Sequence, residues 1–227
     1  MTIMRWIGVI VLLGLFWMFR SLLPFMFFSD AGIEVILNVP ASVSQPTVTA
    51  GYKSRSCEWY GYGSDTWHYQ TNGKHFETEK ISETQYKVKI PYRDHSPCGW
   101  RLQSLGWSLD LKDASLMNSK VASDEGGGAG IGVKIVYEPE HWLNLYQDGV
   151  FVIDDEIIPR VYFSDPSKGN KYVHREGKYV LSLRSHYYEK KLEYGTRDAD
   201  GREKIIYNAT INEDKLTENV APGNPLW

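Results

Sequence analysis

The stretch Tyr86-Lys87-Val88-Lys89-Ile90 decides how this chain folds. Three apolar side chains alternate with two lysines, so a backbone whose successive residues face opposite sides collects the apolar three on one face and both ammonium groups on the other. A half-buried β-strand satisfies this pattern. The same period returns upstream in Ile33, Val35, Leu37 and Val39, ending at Pro40, and downstream in Leu105, Trp107, Leu109 and Leu111. Short runs rich in Val, Ile and Tyr predict further strands at 132–137, 150–153, 160–163, 179–184 and 204–211. Asn72-Gly73, Asp148-Gly149 and Asp200-Gly201 suit tight hairpin turns, whose central residues need positive φ. A single short helix is expected at 139–147, with Pro139 in its first turn and Gly149 past its end. The glycine-rich segment 123–132 reads as a flexible loop that divides an amino-terminal from a carboxy-terminal half near 123–131. The expected fold is all-β, an antiparallel sandwich or open barrel with at most one or two short helices.

Composition supports this reading. Of 227 residues 42% are hydrophobic, and 15 Tyr, 8 Trp and 8 Phe favour half-buried pleated surfaces where rings pack across strands. The net charge is −3, and because residues 1–28 hold Arg5 and Arg20 and no acid, the remainder is two charges more acidic still. With no basic run, the chain lacks the footprint of a nucleic-acid binder.

Residues 6–19 form an unbroken apolar run, Arg20 interrupts it, and 22–28 resume it around Pro24. Taken together these 23 residues reach across a hydrocarbon core of roughly 30 Å, with Arg20 snorkelling to the interface. Residues 1–28 are therefore expected to form a transmembrane anchor, with 29–227 as an exported domain on the outer side of a bacterial inner membrane. The other reading is a cleaved signal peptide, for which Ser29-Asp30-Ala31 would be a poor cleavage site behind bulky Phe27 and Phe28. The only cysteines, Cys57 and Cys98, fall in the exported part, where an isolated pair is expected to form a disulfide.

The motifs that carry chemistry fail their tests. The glycine cluster is followed by Ile131-Gly132-Val133-Lys134-Ile135, a strand pattern and no phosphate-cradling helix. The six histidines are dispersed, and His95 near Cys98 would form a reactive thiol–imidazole pair only if that thiol were free. Asp198, Asp200 and Glu203 lack calcium-loop spacing. The chain is read as a non-enzyme with no cofactor and no metal.

Two features suit partner binding. Trp59, Tyr60, Tyr62, Trp67, His68 and Tyr69 crowd eleven residues together with Gly61, Gly63 and Ser64. Rigid amphipathic rings beside small residues fit protein recognition or stacking on a glycan, and they also fit a sandwich core with a turn. Asp154-Asp155-Glu156 reads as an exposed acidic patch for a basic partner or as a solvated loop. Tyr187, Tyr188 and Tyr194 around Lys190-Lys191 form a second aromatic group.

An amino-terminal membrane segment, an exported β-rich domain, the Cys57 and Cys98 pair, and Cys98-Gly99-Trp100-Arg101-Leu102 leading into an alternating strand resemble membrane-anchored periplasmic immunity proteins of type VI secretion lipase effectors. That resemblance implies a protein that blocks a secreted effector toxin by binding it and performs no chemistry. An envelope assembly factor or a glycan-binding module stays open beside it, since neither leaves a catalytic signature.

Overall fold

A computed structural model of the chain describes residues 27–123, 126–137, 149–163, 179–187, 192–196 and 203–219, with residues 8, 11, 14 and 15 of the amino-terminal segment. The strands are β1 Gly32–Asn38, β2 Thr47–Gly61, β3 Thr66–Glu77, β4 Glu79–Lys80, β5 Gln85–Pro91, β6 Arg93–Asp94 and β7 Trp100–Leu109. After these come β8 Gly126–Gly127, β9 Ala129–Tyr137, β10 Val150–Phe163, β11 Tyr179–Ser185, β12 Leu192–Thr196, β13 Lys204–Ile211 and β14 Thr217–Asn219. Beyond residue 27 the helical elements are two 3-10 turns, Ala114–Leu116 and Glu213–Lys215, among the described residues.

The strands build two curled sheets that form a half-barrel or sandwich. One has eight strands in the order β4-β5-β1-β13-β10-β11-β8, with β14 also on β10, and the other has six in the order β12-β9-β7-β2-β3, with β6 on β7. Alternation does what the sequence demands of it. Ile33, Val35 and Leu37 of β1 lie opposite Ile90, Val88 and Tyr86 of β5, all buried, while Glu34 and Lys89 pair on the outer face. The six-stranded sheet answers from the other side with Leu105, Trp107 and Leu109 of β7 and Ile131, Val133 and Ile135 of β9. Trp107 meets Tyr207 of β13 edge-on at 5.2 Å, so the core lies between the sheets.

Four expectations need correction. First, the pairing is mixed: β13 runs parallel to both β1 and β10, and β14, β8 and β12 also pair parallel with β10, β11 and β9. A parallel neighbour needs a crossover of roughly a dozen residues or more, and β13, arriving late in the chain to lie between β1 and β10, has that length many times over.

Second, the strands expected at 150–153 and 160–163 are parts of one strand, β10, which passes through the acidic triplet and Pro159. Proline donates no ladder bond, yet β10 stays in register with β11 from Ile157 to Phe163. Third, Asn72-Gly73 is no turn but lies in mid-β3 opposite Tyr52 and Gly51. The chain reverses at Tyr62–Asp65 instead, with Asp65 at φ 50°.

Fourth, the segment expected as a loop at 123–132 contributes β8 and the start of β9. A side chain at Gly128 would sit 2.2 Å from Asp110 Oδ1 and 3.1 Å from Leu109 O. Glycine here permits close backbone approach. Strands on either side of this segment pair with one another in both sheets, as β7 with β9 and β1 with β13.

Of the expected anchor at 1–28, the described residues are 8, 11, 14, 15, 27 and 28. Among the described residues no helix is long and apolar enough to cross a membrane. The helix expected at 139–147, Asp148 and the Asp200-Gly201 turn lie outside the described residues. Gly149, at the start of β10, has φ 75°.

Candidate functional site: an aromatic ribbon rooted by a disulfide

Strand β2 is longer than the sheet that holds it. Its pairing with β7 ends at Lys53 opposite Arg101, whereas its pairing with β3 resumes at Glu58 and runs to Gly61 opposite Thr66. Residues 58–69 are thus a two-stranded ribbon that extends past the neighbouring strand. A two-stranded ribbon has no second layer to bury its side chains, so what it carries stays in solvent.

It carries rings. Glu58 lies opposite Tyr69 and Tyr60 opposite Trp67, placing these four on one face, with Trp59 and His68 opposite each other on the other. Tyr60 packs edge-on against both Tyr62, at 5.4 Å, and Trp67, at 5.5 Å. Trp59 lies against the His68 ring at 5.4 Å. Even so, Tyr62 is 88% exposed, Trp67 67% and Trp59 52%. Single exposed apolar residues are ordinary, but a contiguous set of large rings is the mark of a contact surface.

The ribbon is braced at both ends. At the tip, Ser64 Oγ and Thr66 Oγ1 lie 2.7 and 2.9 Å from His68 Nε2, and Tyr60 donates its hydroxyl to Asp65 at 3.2 Å. At the root, residues 54–57 bulge out of register between β2 and β3. The bulge is held by Ser54 Oγ, which both accepts from Cys57 N–H and donates to Cys57 O at 2.7 Å. Arg55 N–H donates to Cys98 O at 3.1 Å, and the Cys57–Cys98 disulfide ties the bulge to the turn before β7. The expected disulfide is present, and with Cys98 so engaged a thiolate beside His95 has no place here.

The aromatic residues singled out in the sequence, Trp59, Tyr60, Tyr62 and Trp67, are therefore brought together. The acidic ones are not. Alternation along β10 divides the triplet: Asp154 and Glu156 face outward from the eight-stranded sheet, and Asp155 points into the sandwich with Ile153 and Ile157. Asp155 accepts from Ser185 Oγ at 2.7 Å, His186 N–H at 2.9 Å and Tyr207 Oη at 2.7 Å. It is a structural anchor and cannot form an exposed patch with its neighbours. Burial, and after it the Asp155 carboxylate, push the Tyr207 hydroxyl well above the ordinary tyrosine range, so it remains a donor.

Asp154 accepts from Asn208 at 2.7 Å. Glu156 accepts from Lys215 at 2.8 Å and from Asn212 at 2.6 Å, and the Lys215 bond first, then the Asn212 bond, hold its carboxyl below the ordinary glutamate value. Both belong to the far side of the core from the ribbon. In the second aromatic group Tyr194 is buried against Phe151, with ring centres 5.7 Å apart. Tyr188, Lys190 and Lys191 lie outside the described residues.

Sequence reasoning did not find Lys53, Arg55, Arg101 and Tyr137, which line a hollow at the root of the ribbon. Three strands and a bulge bring them together, and no local period marks them. No protein family, no curated protein and no solved structure matches this chain.

Proposed function

We propose that this chain is a membrane-anchored binding protein of the bacterial periplasm, an immunity protein that neutralises a secreted antibacterial effector by direct contact through the ribbon at 58–69. The observation that carries the reading is the exposure of Tyr62, Trp67, Trp59 and Tyr69 on a ribbon fixed at its root by the Cys57–Cys98 disulfide. Rigid aromatic anchors that lose little side-chain freedom on binding are what dominates protein contact energies. A glycan reading gains less support from the geometry. The edge-on packing of Tyr60 with Tyr62 and Trp67 makes a ridge, while a sugar ring stacks on an open ring face. The apolar run at 6–28 and the disulfide fit an anchored domain in an oxidising compartment.

The test uses the full chain in detergent with the products of the genes beside its own. The expected result is a one-to-one complex with a neighbour whose periplasmic toxicity the chain silences, lost on Trp67→Ala. If no neighbour binds, or one binds and stays toxic, the reading fails, and an assembly or glycan-binding role takes its place.

A further inference from the structure

The last strand of a sheet turns a row of backbone groups outward with no ladder to join. Among the described residues the two sheets end on β4, β8, β12 and β3. Three of these are short, with two, two and five residues, whereas β3 has twelve. Ten of the twelve are exposed and none is buried. Among the described residues β3 pairs with β2 alone. Proteins usually guard such an edge with proline, outward lysines, a bulge or a covering segment. β3 holds no proline, and its one lysine, Lys74, stands over the Phe28 ring at 5.6 Å.

The outward groups can be named. The Gly73 N–H donates to the neighbouring Asn72 Oδ1 at 2.8 Å, so it is turned away from β2. Outward groups recur at every second residue of an antiparallel strand. Thr71 and His75, in continuous register with β2, therefore also turn their N–H and C=O to the open side. Asn72 caps one donor of this row. A side chain at Gly73 would meet nothing nearer than Ala50 O at 4.0 Å, so a further strand has room beside it.

We infer that β3 is a docking edge on which a protein partner lays an extended segment of its own as the next strand of the sheet. Main-chain hydrogen bonds supply the hold, and alternate side chains choose the partner. Trp67 and Tyr69 belong to β3 and to the ribbon, so a segment with aromatic and β-branched residues at every second position meets rings across the strand. A second copy of this chain fits the edge less well. Residues 27–29 run antiparallel to β6, bonded from His95 N–H to Phe27 O and from Ser29 N–H to Arg93 O, so the chain enters along the strand axis. A closed dimer would pair β3 antiparallel with its copy and turn one domain end over end. The two chains would then enter their domains from opposite ends, which anchoring both apolar runs at 6–28 in one membrane does not allow. The inference rests on the proposal that the ribbon contacts a protein, and states how that partner binds.

The full chain in detergent is titrated with the peptide acetyl-Thr-Tyr-Thr-Val-Thr-Tyr-Thr-Val-amide, and exchange of single amides is followed by nuclear magnetic resonance. Saturable binding is expected that slows exchange of the Thr71, Gly73 and His75 amides about tenfold or more, since each gains a ladder partner. The same peptide N-methylated at alternate residues should not bind. Gly73→Pro and Thr71→Pro should each weaken binding about tenfold, because a proline ring blocks the open side while an outward N–H is spare to the fold. Unfolding curves check both variants, and the N-methylated peptide decides the matter should either fail to fold. No saturable binding, or binding that leaves the three amides unprotected, overturns the inference. Protection of those amides that rises with chain concentration in the absence of peptide assigns the edge to a second copy and also overturns it. Peptide docking with no neighbouring toxin silenced sinks the immunity reading and leaves the edge as assigned. A silenced toxin whose complex leaves the three amides unprotected keeps the immunity reading and sinks the edge.

Discussion

Tyr207 donates its hydroxyl to Asp155 at 2.7 Å inside the sandwich, while its ring meets Trp107 of the facing sheet. One residue therefore joins the packing between sheets to the polar network within one sheet. Tyr207→Phe keeps the ring and deletes the donor, leaving Asp155 with Ser185 and His186. A hydrogen bond to a buried carboxylate is worth about 1.5–3 kcal/mol, and urea unfolding should show a loss of that order. Asp155→Ala strands three donors at once and should cost more, about 3–5 kcal/mol. Equal stability of Tyr207→Phe and the parent would remove this network from the account of the fold.

The disulfide spans a sequence separation of 41 residues. Closing a loop of that length in the unfolded chain is worth roughly 4 kcal/mol in the chain-entropy treatment. Cys57→Ala with Cys98→Ala, or reduction with dithiothreitol, should lower unfolding stability by about that amount. Amide exchange should also quicken more at 54–61 than in β1 or β13, because the bulge loses its tether. Uniform quickening over all strands would mean that the bond stabilises the whole domain without bracing the ribbon.

Trp67→Ala and Tyr62→Ala should separate stability from binding. Both side chains are largely in solvent, and surface truncations usually change folding by no more than ~0.5 kcal/mol. At the centre of a contact the same truncation costs about 2 kcal/mol or more, roughly a 30-fold loss of affinity. Unfolding curves and a binding titration on the same variants check this. A large loss of stability in either variant would show the ridge to be part of the core.

Glu156 reaches Lys215 at 2.8 Å, and its carboxyl sits below the ordinary value of 4.5 because Lys215 and then Asn212 bond its charged form. A carboxyl lowered in the folded state stabilises above its unfolded value, and that contribution is lost as pH falls through the folded value. Both partners are about half exposed, so the effect is local and weakened by salt. Acidifying below 4.5 should lower the protection of amides 212–219 relative to their intrinsic exchange rates, and Glu156→Gln should give the low protection at every pH. Protection factors that ignore pH in the parent chain would dissolve the tie.

Much of the architecture was legible where burial is one-sided. The alternation at Ile33–Val39 and Tyr86–Ile90 names the inward residues of β1 and β5, because only one register hides them. The parallel partners of β13 left no such trace, since a strand's period is the same whichever way its neighbour runs. The acidic triplet was misread as a run because charge was weighed ahead of period. Ile153, Asp155 and Ile157 alternate, and that alone puts Asp155 inside. The aromatic ridge was visible as a cluster, but its exposure depends on where β7 stops pairing, which Trp59 and Trp67 cannot reveal. Lys53, Arg101 and Arg93 stand in one row only through the register between three strands.

The reach of the β2–β3 hairpin past its neighbour has a consequence for how this lineage can change. A residue added or lost within β10 would turn Asp155 outward and a neighbour inward, so that strand has little freedom to drift. The tip at Tyr62–Asp65 has no such bookkeeping: lengthening a loop costs only about 0.6 kcal/mol per doubling, and a substitution there disturbs no second layer. The end of the hairpin can thus be rewritten while the register of the scaffold stays strict.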